Sequence, residues 1–291
     1  MQGNYSKRKV LITGAKGQLG QCFKKIESNY PDLEMHFASY SDLDITVKEE
    51  VKHLFSKENY EYVINCAAYT NVEQAEKEPQ KAFEINAEGV KNIAEACLDH
   101  DAILVHISTD YVFDGKKNTP YTEEDSPNPL NEYGKSKLAG EQHIQKILEN
   151  YFIIRTSWLY SEFGHNFLKT ILRKSETVKE LTITTSETGT PTNANDLAMF
   201  ITELILKGES RYGIYNYSNI GEATWFDFAE EVLRISGKLE QIKLEKTDNY
   251  PTFAVRPKYS VLDKKKLTIA LQVNILDWKT SINRLNQNLG L

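Results

Sequence analysis

The chain has 291 residues, of which 40% are hydrophobic and 26% charged, and its formal net charge is −6. This length suits one large α/β domain, or an ordinary domain with a smaller lobe, and the composition argues against disorder. Because nucleic acids and anionic membranes bind concentrated basic faces, we expect neither as a partner.

The cysteines and the N-terminal segment bear on the compartment. Cys22, Cys66 and Cys97 are an odd number, widely spaced and without a CxxC pair. This pattern predicts reduced thiols in a cytosol and neither a disulfide framework nor a zinc site. The opening MQGNYSKRKVLITG lacks an apolar stretch of signal-peptide length, and no run of about 18 apolar residues occurs in the chain. We therefore expect a cytoplasmic protein with no membrane span.

The first half of the chain alternates short β-rich runs with helical patterns. Strands are predicted at residues 9–13, 35–38, 62–67, 103–108 and 151–156, and helices at 19–28, 47–56, 82–98 and 133–148. Alternation at this spacing is typical of parallel strands joined by crossover helices. It predicts an α/β fold with a doubly wound parallel sheet of the Rossmann type, whose ligands bind beyond the carboxyl ends of the strands.

After about residue 157 the pattern loosens. Strands are predicted at residues 181–185 and 213–217, and helices at 166–174, 195–206, 224–236 and 278–288. Thr224 and Asp227 have the spacing of a capping box. We expect a Rossmann domain over residues 1–157, completed by segments near 181–207. A smaller α/β lobe, formed mostly by residues 158–291, is expected to be interleaved with it.

Gly14, Gly17 and Gly20 follow the first strand and open a helix. Glycines with this spacing allow a tight turn, let backbone N–H groups approach a pyrophosphate and pack the helix on the sheet. The helix N-terminus also favours anionic phosphates. A purely structural turn has the same spacing, but the position after the first strand of a β/α array favours a dinucleotide. We therefore predict that residues 1–157 bind NAD(P) and that the lobe binds the substrate.

The residues after the second strand bear on the choice of cofactor. An acid there usually binds the adenosine ribose, whereas this chain has Ser39 and Ser41, and its first acids are Asp42 and Asp44. Hydroxyl groups leave room for a 2′-phosphate, so NADPH is favoured, with Lys16 as the candidate phosphate contact. Use of both cofactors, with the serines as ordinary loop residues, remains the alternative, and NADH is possible.

Tyr133 and Lys137 lie one turn apart at the start of a predicted helix. A phenol has an ordinary pKa of about 10, and a nearby ammonium group favours the phenolate and lowers that pKa. YxxxK is frequent by chance, but Thr109 stands at the end of the fourth strand, where its hydroxyl can reach a substrate carbonyl or the phenol. We predict that Thr109, Tyr133 and Lys137 form a catalytic set, and that His106 is an interior residue with satisfied hydrogen bonds.

Longer motifs surround these positions. They are GAKGQLG, NCAAYTNVEQAE, HISTDYVFDG, YGKSKLAGE, RTSWLY, GTPT and RPKYSVLD. In this order they resemble the extended short-chain dehydrogenase/reductases, specifically the dTDP-4-dehydrorhamnose reductase family, from about residue 9 to the C-terminal helix. The resemblance implies hydride transfer from nicotinamide C4 to C4 of a dTDP-linked 4-keto-6-deoxy sugar, giving dTDP-L-rhamnose. It also implies that Tyr133 donates the proton.

The glycine turn and the resemblance together give the expected contacts. The cofactor contacts are Gly14, Lys16, Gly17, Gln18, Leu19, Gly20, Ser39, Asp44, Ile45, Ala67, Ala68, Tyr69, Thr70, Asn86, Ile107, Tyr133 and Lys137. The substrate contacts are Thr109, Asp110, Val112, Phe113, Trp158, Asn166 and Arg256. Trp158 is expected to form a wall beside the sugar and Arg256 to bind the diphosphate. The alternatives are a core tryptophan and a surface arginine.

Three related activities were weighed against this one. Sugar-nucleotide dehydratases carry Asp-Glu after the active-site threonine, whereas Asp110 and Tyr111 follow Thr109 here. Epimerases need little beyond the tyrosine, the lysine and a retained cofactor, so they stay open. A non-catalytic partner-binding role, like that of the regulatory subunit of methionine adenosyltransferase, also stays open.

The chain departs from the family pattern at two places. Relatives often have Asp-Gln before GxPT, where this chain has Ser186 and Glu187. Some relatives use an acid after that motif in a magnesium-linked dimer contact, but Asn193 and Asn195 stand here. Because an amide is a poorer ligand for a hard cation than a carboxylate, we predict no tightly bound metal. A monomer and a homodimer are both compatible with the sequence.

Overall fold

The computed structural model of the chain describes residues 7–289. The strands are β1 (Arg8–Thr13), β2 (Leu33–Ala38), β3 (Tyr62–Asn65), β4 (Ile103–Thr109), β5 (Tyr151–Thr156), β6 (Leu159–Tyr160), β7 (Glu180–Thr184), β8 (Thr188–Gly189), β9 (Thr192–Asn193), β10 (Gly213–Asn216), β11 (Ala223–Thr224) and β12 (Lys243–Thr247). The helices are α1 (Gln18–Ile26), α2 (Lys48–Lys57), α3 (Val72–Ala75), α4 (Pro79–Phe83), α5 (Gly89–Asp99), α6 (Glu132–Ile147), α7 (Phe167–Thr177), α8 (Ala194–Leu206), α9 (Trp225–Ile235), α10 (Lys265–Leu271) and α11 (Trp278–Leu289).

Six parallel strands form the central sheet, in the order β10-β5-β4-β3-β1-β2. The predicted doubly wound parallel sheet is confirmed. The chain leaves β1 in opposite directions along the sheet, toward β2 and toward β3, so the strand order reverses there. Ligands of open α/β sheets bind in the crevice outside the carboxyl ends at such a point. The register pairs Thr13 with Asn65 and Asn65 with His106 at these ends.

Helices cover both faces of the sheet because its strands alternate their side chains. In β1, Val10 and Ile12 pack in one core cluster and Leu11 in the other. The first cluster includes buried residues of α1, α8 and α10, and the second those of α2, α5 and α6. The catalytic-set helix α6 therefore lies on the same face as α5.

A smaller lobe packs beside the carboxyl ends of the strands. Its core joins α7, α9 and α11 with the two-stranded parallel sheet of β7 and β12. The predicted capping box is confirmed: Thr224 Oγ1 accepts from the Asp227 N–H, and the Asp227 carboxylate accepts from the Thr224 N–H. Among residues 7–289, no helix combines the length and hydropathy needed to cross a bilayer.

The structure departs from the predicted path at three elements. The segment near 181–185 does not join the central sheet but pairs with β12, whereas β10, which was assigned to the lobe, is the sixth central strand. The helix predicted over 82–98 is divided by a π-helical turn, Glu84–Glu88. Alternation of side chains identifies a strand but not its partner, which explains the first difference. Of the segments near 181–207, α8 packs on the face of α1; the boundary near residue 157 stays a prediction.

Candidate active site

The glycine turn lies at the switch point of the sheet. Gly14 has φ +66°, and a Cβ atom there would come within 2.7 Å of Ala67 N. A Cβ at Gly20 would come within 2.6 Å of Gly14 O. Gly17 is the N-cap of α1, and no side chain caps this helix end. The N–H groups of the first turn are therefore available to a phosphate, and the cradle fits the pyrophosphate of a dinucleotide.

Gly14→Ala is expected to weaken NADPH binding at least 10-fold, because the added methyl group meets the backbone after β3 and strains a left-handed residue. The strain and the contact together should lower the unfolding free energy by roughly 1–3 kcal/mol. Fluorescence titration with NADPH and urea unfolding measure both effects. Gly237→Ala is the matched control, because Gly237 has φ +67° with nothing within 4 Å. Equal NADPH affinity in the two variants would contradict the role of Gly14.

A carboxylate occupies the loop after β2. Asp42 Oδ2 accepts hydrogen bonds from Ser39 N at 2.9 Å and Ser39 Oγ at 2.5 Å, and Ser39 Oγ lies 2.9 Å from Ser41 Oγ. The hydrogen bonds from Ser39 and the charge of Lys16 lower the pKa of Asp42. Hydroxyl groups, a carboxylate and a lysine thus meet where an adenosine ribose would lie. Asp44 accepts from Thr46 N and Oγ1 further along this loop, where Ile45 is buried.

The loop after β3 is tied to α6 by one buried amide. Asn86 Oδ1 accepts from Tyr69 N at 2.8 Å, and its Nδ2 donates to Tyr69 O and to Ser136 Oγ. Ala67 N donates to the Thr13 hydroxyl and to Asn65 Oδ1. Ala68 and Thr70 lie in the same loop, which the structure places between the glycine turn and α6.

Thr109 and Tyr133 are joined by a hydrogen bond. Burial raises the pKa of Tyr133 to about 12; the Thr109 hydrogen bond opposes this rise and the charge of Asp110 adds to it. The expectation that the neighbouring lysine lowers the pKa of this phenol does not hold in the ligand-free protein, where the net shift is upward. Tyr133 is therefore a protonated phenol near neutral pH, which is the form a proton donor needs.

Lys137 faces the main chain of β4. Its Nζ donates to Ile107 O at 2.6 Å and lies 3.2 Å from His106 Nε2. Burial lowers the pKa of Lys137 to about 8, and the charges of Glu141 and Cys66 oppose the shift. His106 is wholly buried, as predicted for an interior residue.

A buried ion pair fixes α6 to the sheet behind this set. Glu141 on α6 and Arg155 on β5 are 0% and 2% exposed, and Arg155 NH2 donates to Glu141 Oε2 at 2.6 Å. Arg155 Nε and Ser108 Oγ donate to the same carboxylate. Sequence reasoning did not single out this pair, because neither residue stands near the other in the chain.

Asp110 is a buried carboxyl beside Thr109, whose hydroxyl donates to Asp110 Oδ1 at 3.1 Å. Burial raises the pKa of Asp110 to about 7; hydrogen bonds with Ser260 and Thr109 oppose the rise, and the charge of Glu187 adds to it. The side chain is therefore largely neutral in slightly acidic solution. Its position next to Thr109 agrees with a place in the substrate site.

Asp110→Asn is expected to stabilise the protein at pH 8 relative to pH 4. The pKa of Asp110 is raised above its ordinary value of 3.8, so the folded state retains a proton that the unfolded chain releases. The stability contributed by this proton is complete below about pH 4 and is lost as pH rises through 7. The amide cannot ionise, so the variant should gain about 1 kcal/mol or more at pH 8. Urea unfolding at both pH values measures this, and a difference independent of pH would contradict it.

Two tryptophans form a wall near this carboxyl. Trp158 has φ +44°, and its ring stacks on Trp225 with centroids 3.6 Å apart. Trp225 Nε1 donates to Glu187 Oε2 at 2.8 Å, and Gly189 leaves space for the Trp158 ring. A non-glycine residue with positive φ is held there by its surroundings and is frequent at functional sites. Trp225 and Glu187 were missed as site residues. The departure at Glu187 was a weak signal, and the helical pattern concealed Trp225.

Other predicted substrate residues have structural partners. Val112 and Phe113 are wholly buried, and Phe113 stacks on Tyr121 with centroids 4.3 Å apart. Asn166 caps α7 and donates to Gln18 Oε1 at 2.6 Å. Arg256 NH2 donates to Glu73 Oε1 at 2.9 Å. These contacts give the four residues packing, capping and loop-anchoring roles, and their contact with substrate stays a prediction.

The neighbourhood of the GTPT motif consists of amides and hydroxyls. Asn195 Nδ2 donates to Glu162 Oε2 at 2.8 Å, and Asn193 Nδ2 donates to Ser281 Oγ at 3.0 Å. Within residues 7–289, no group of three or more histidine, cysteine or acidic side chains is placed to hold a metal ion.

Comparisons with known proteins agree with this geometry. The model of the RmlD substrate binding domain matches residues 8–290. The dTDP-4-dehydrorhamnose reductase of Aggregatibacter actinomycetemcomitans is 38% identical over 287 residues, which are 95% of this chain and 98% of that protein. The crystal structure of a dTDP-4-dehydrorhamnose reductase from Clostridium acetobutylicum is 38% identical, covers 97% of this chain and 100% of that one, and has a TM-score of 0.92.

A second crystal structure, of a dTDP-4-dehydrorhamnose reductase from Bacillus anthracis in complex with NADP, is 37% identical. It covers 97% of this chain and 99% of that one, with a TM-score of 0.93. These matches over nearly the whole length confirm the resemblance inferred from the motifs. The chain belongs to the family defined by the RmlD substrate binding domain.

Proposed function

We propose that this protein is an NAD(P)H-dependent reductase that converts dTDP-4-dehydrorhamnose into dTDP-L-rhamnose. The observation that carries the proposal is the protonated phenol of Tyr133, hydrogen-bonded with Thr109 at the carboxyl end of β4. The glycine turn supplies a phosphate site on the neighbouring strand, and the relatives named above are reductases of this sugar nucleotide.

The chain's residues divide the work of this reaction. When bound, the nicotinamide supplies the hydride that C4 of the sugar receives. Tyr133 donates its phenolic proton to the C4 oxygen as negative charge develops there, and Thr109 keeps the phenol in position. General acid catalysis of this kind typically contributes roughly 10²–10⁴-fold. Lys137 binds the nicotinamide ribose, and a solvent proton later restores Tyr133.

The substrate site lies between the strand ends and the lobe. The stacked rings of Trp158 and Trp225 offer an apolar wall to the sugar. The Asp110 carboxyl is placed to bond a sugar hydroxyl beside Thr109. Arg256, held by Glu73 in the ligand-free protein, is the candidate to neutralise one charge of the diphosphate. Contacts of the other predicted cofactor residues follow the glycine turn and the loop after β3.

For the cofactor we propose NADPH as the preferred donor and NADH as a usable one. Lys16, Ser39 and Ser41 favour the 2′-phosphate, whereas the carboxylate of Asp42 in the same loop opposes it. We further propose a cytoplasmic location, which agrees with the free thiols of the three cysteines, and no tightly bound metal.

The test follows absorbance at 340 nm as the purified protein meets dTDP-4-dehydrorhamnose with NADPH or NADH. Cofactor oxidation with a dTDP-L-rhamnose product is expected. Interconversion of sugar isomers without net oxidation would indicate an epimerase. Folded, NADPH-binding protein that oxidises neither cofactor would favour the regulatory alternative.

Prolonged dialysis against EDTA is expected to leave the rate of reduction unchanged, because amides replace acids after the GTPT motif. The rate is measured before dialysis, after it, and after addition of Mg²⁺. A stoichiometric magnesium ion whose removal abolishes turnover would contradict the proposal of a metal-free enzyme.

A further inference from the structure

A row of buried polar side chains crosses the sheet behind the proposed site. The register places Thr13, Asn65 and His106 side by side on β1, β3 and β4. Their side chains share a face, because each follows by two residues a side chain packed in the cluster of α2, α5 and α6. Lys137 on α6 meets the row at its end. All four residues are at most 2% exposed.

The orientation of the Asn65 amide follows from its partners. Its Oδ1 accepts from Thr13 Oγ1 at 2.6 Å and from Ala67 N at 3.2 Å. A backbone N–H can only donate, so the flipped amide would place two donors against each other. The Nδ2 group therefore points at His106 Nδ1, 3.1 Å away, and donates to it.

This contact determines the tautomer of His106. Burial and the charge of Lys137 hold the pKa of His106 well below its usual range, so the ring is neutral. A neutral ring whose Nδ1 accepts carries its hydrogen on Nε2. That N–H faces Lys137 Nζ at 3.2 Å, while Nζ donates to Ile107 O. An ammonium group has no lone pair to accept from Nε2, whereas an amine has one.

We propose that His106 is a positioning residue that, fixed by Asn65 as the Nε2–H tautomer, donates a hydrogen bond to Lys137 and favours its uncharged amine in the ligand-free enzyme. The other ionisable groups near Lys137 are the Cys66 thiol after β3, Tyr133 one turn earlier on α6 and Glu141 one turn later. Glu141 is paired with Arg155 on β5. The downward direction of the Lys137 pKa agrees with this arrangement.

The consequence for chemistry rests on the proposed function. A reductase needs the proton on Tyr133 before reaction, and an uncharged Lys137 does not attract that proton away as an ammonium neighbour would by stabilising the phenolate. His106 would thus help to keep Tyr133 protonated until substrate is present. The tautomer itself is a property of the ligand-free protein and does not depend on turnover.

The primary test is nitrogen-15 NMR of the His106 ring in wild-type protein near pH 8.5, above the Lys137 pKa of about 8. We expect a protonated Nε2 and an unprotonated Nδ1. His106→Gln identifies the signal by its loss. A ring protonated on Nδ1, or on both nitrogens, would overturn the proposal even if the protein proves to be an active reductase. The expected tautomer in an inactive protein would sustain it while the function fails.

A second test reverses the donor. Asn65→Asp replaces Nδ2 with an acceptor, so His106 should switch to Nδ1–H, and Nε2 should then accept from a Lys137 ammonium. In an active enzyme the pH dependence of kcat should shift upward by roughly one unit, the direction expected when a partner favours the charged lysine. Thr13→Val is the matched control, because the Ala67 N–H still orients the Asn65 amide and the tautomer should not change. A folded Asn65→Asp protein that keeps Nε2–H would overturn the proposal.

Discussion

Tyr133→Phe is expected to lower kcat about 10²- to 10⁴-fold while leaving the Kd for NADPH unchanged, because it removes the proton donor and retains the ring. The phenol is buried, and its raised pKa of about 12 keeps the proton available at neutral pH. The benzene ring of the variant fills the same space, so the fold should be unaffected. Steady-state reduction of dTDP-4-dehydrorhamnose gives kcat, and a fluorescence titration gives the Kd.

Tyr111→Phe is the matched control for this variant. The Tyr111 ring packs edge-on against Tyr133, with centroids 5.7 Å apart, and it is also buried. Loss of its hydroxyl should change kcat by less than about 10-fold, since the ring does not supply the proton. Wild-type turnover in Tyr133→Phe, or an equal loss in both variants, would assign the proton to another group.

Glu141→Met is expected to lower the unfolding free energy by about 3–5 kcal/mol, because it leaves the Arg155 guanidinium buried without its counter-charge. Both side chains of the pair are at most 2% exposed, and the carboxylate also accepts from Ser108 Oγ. Because Glu141 lies one turn after Lys137 on α6, its loss should also disturb the placement of the catalytic set. Urea unfolding at neutral pH measures the stability.

The control for Glu141→Met is the double variant Glu141→Met with Arg155→Met. Replacing a buried pair by apolar residues of similar size is often nearly neutral, so the double variant should be more stable than the single one. A single variant within about 1 kcal/mol of wild type would show that the ion pair contributes little.

The fold followed from the sequence where local patterns were sufficient. Apolar runs such as residues 103–108 and the turn from Gly14 to Gly20 predict β4 and the start of α1 without reference to other segments. Strand partners were harder to obtain. Alternation in residues 181–185 predicts a strand, but its pairing with Lys243–Thr247 depends on how the lobe packs. The mainly polar segment 243–247 carries no signal of its own.

The site was predictable where its residues share one element. Tyr133 and Lys137 meet because they lie one helical turn apart, and Thr109 follows from the end of β4. By contrast, the contact between Asn65 and His106 joins residues 41 positions apart through sheet register. The stacking of Trp158 on Trp225 depends on the lobe. Phe113 lies beside the catalytic set in sequence, yet its ring packs in the core, and a motif cannot separate these two cases.

The most direct test of hydride delivery to the sugar uses NADPH that carries deuterium at nicotinamide C4, in the transferred position. The reaction product with dTDP-4-dehydrorhamnose is isolated, and its proton NMR spectrum is recorded. Our account predicts dTDP-L-rhamnose with deuterium at sugar C4 and one NADPH oxidised for each product formed. Product with hydrogen at C4, or an isomerised keto sugar formed without net oxidation of NADPH, would contradict it.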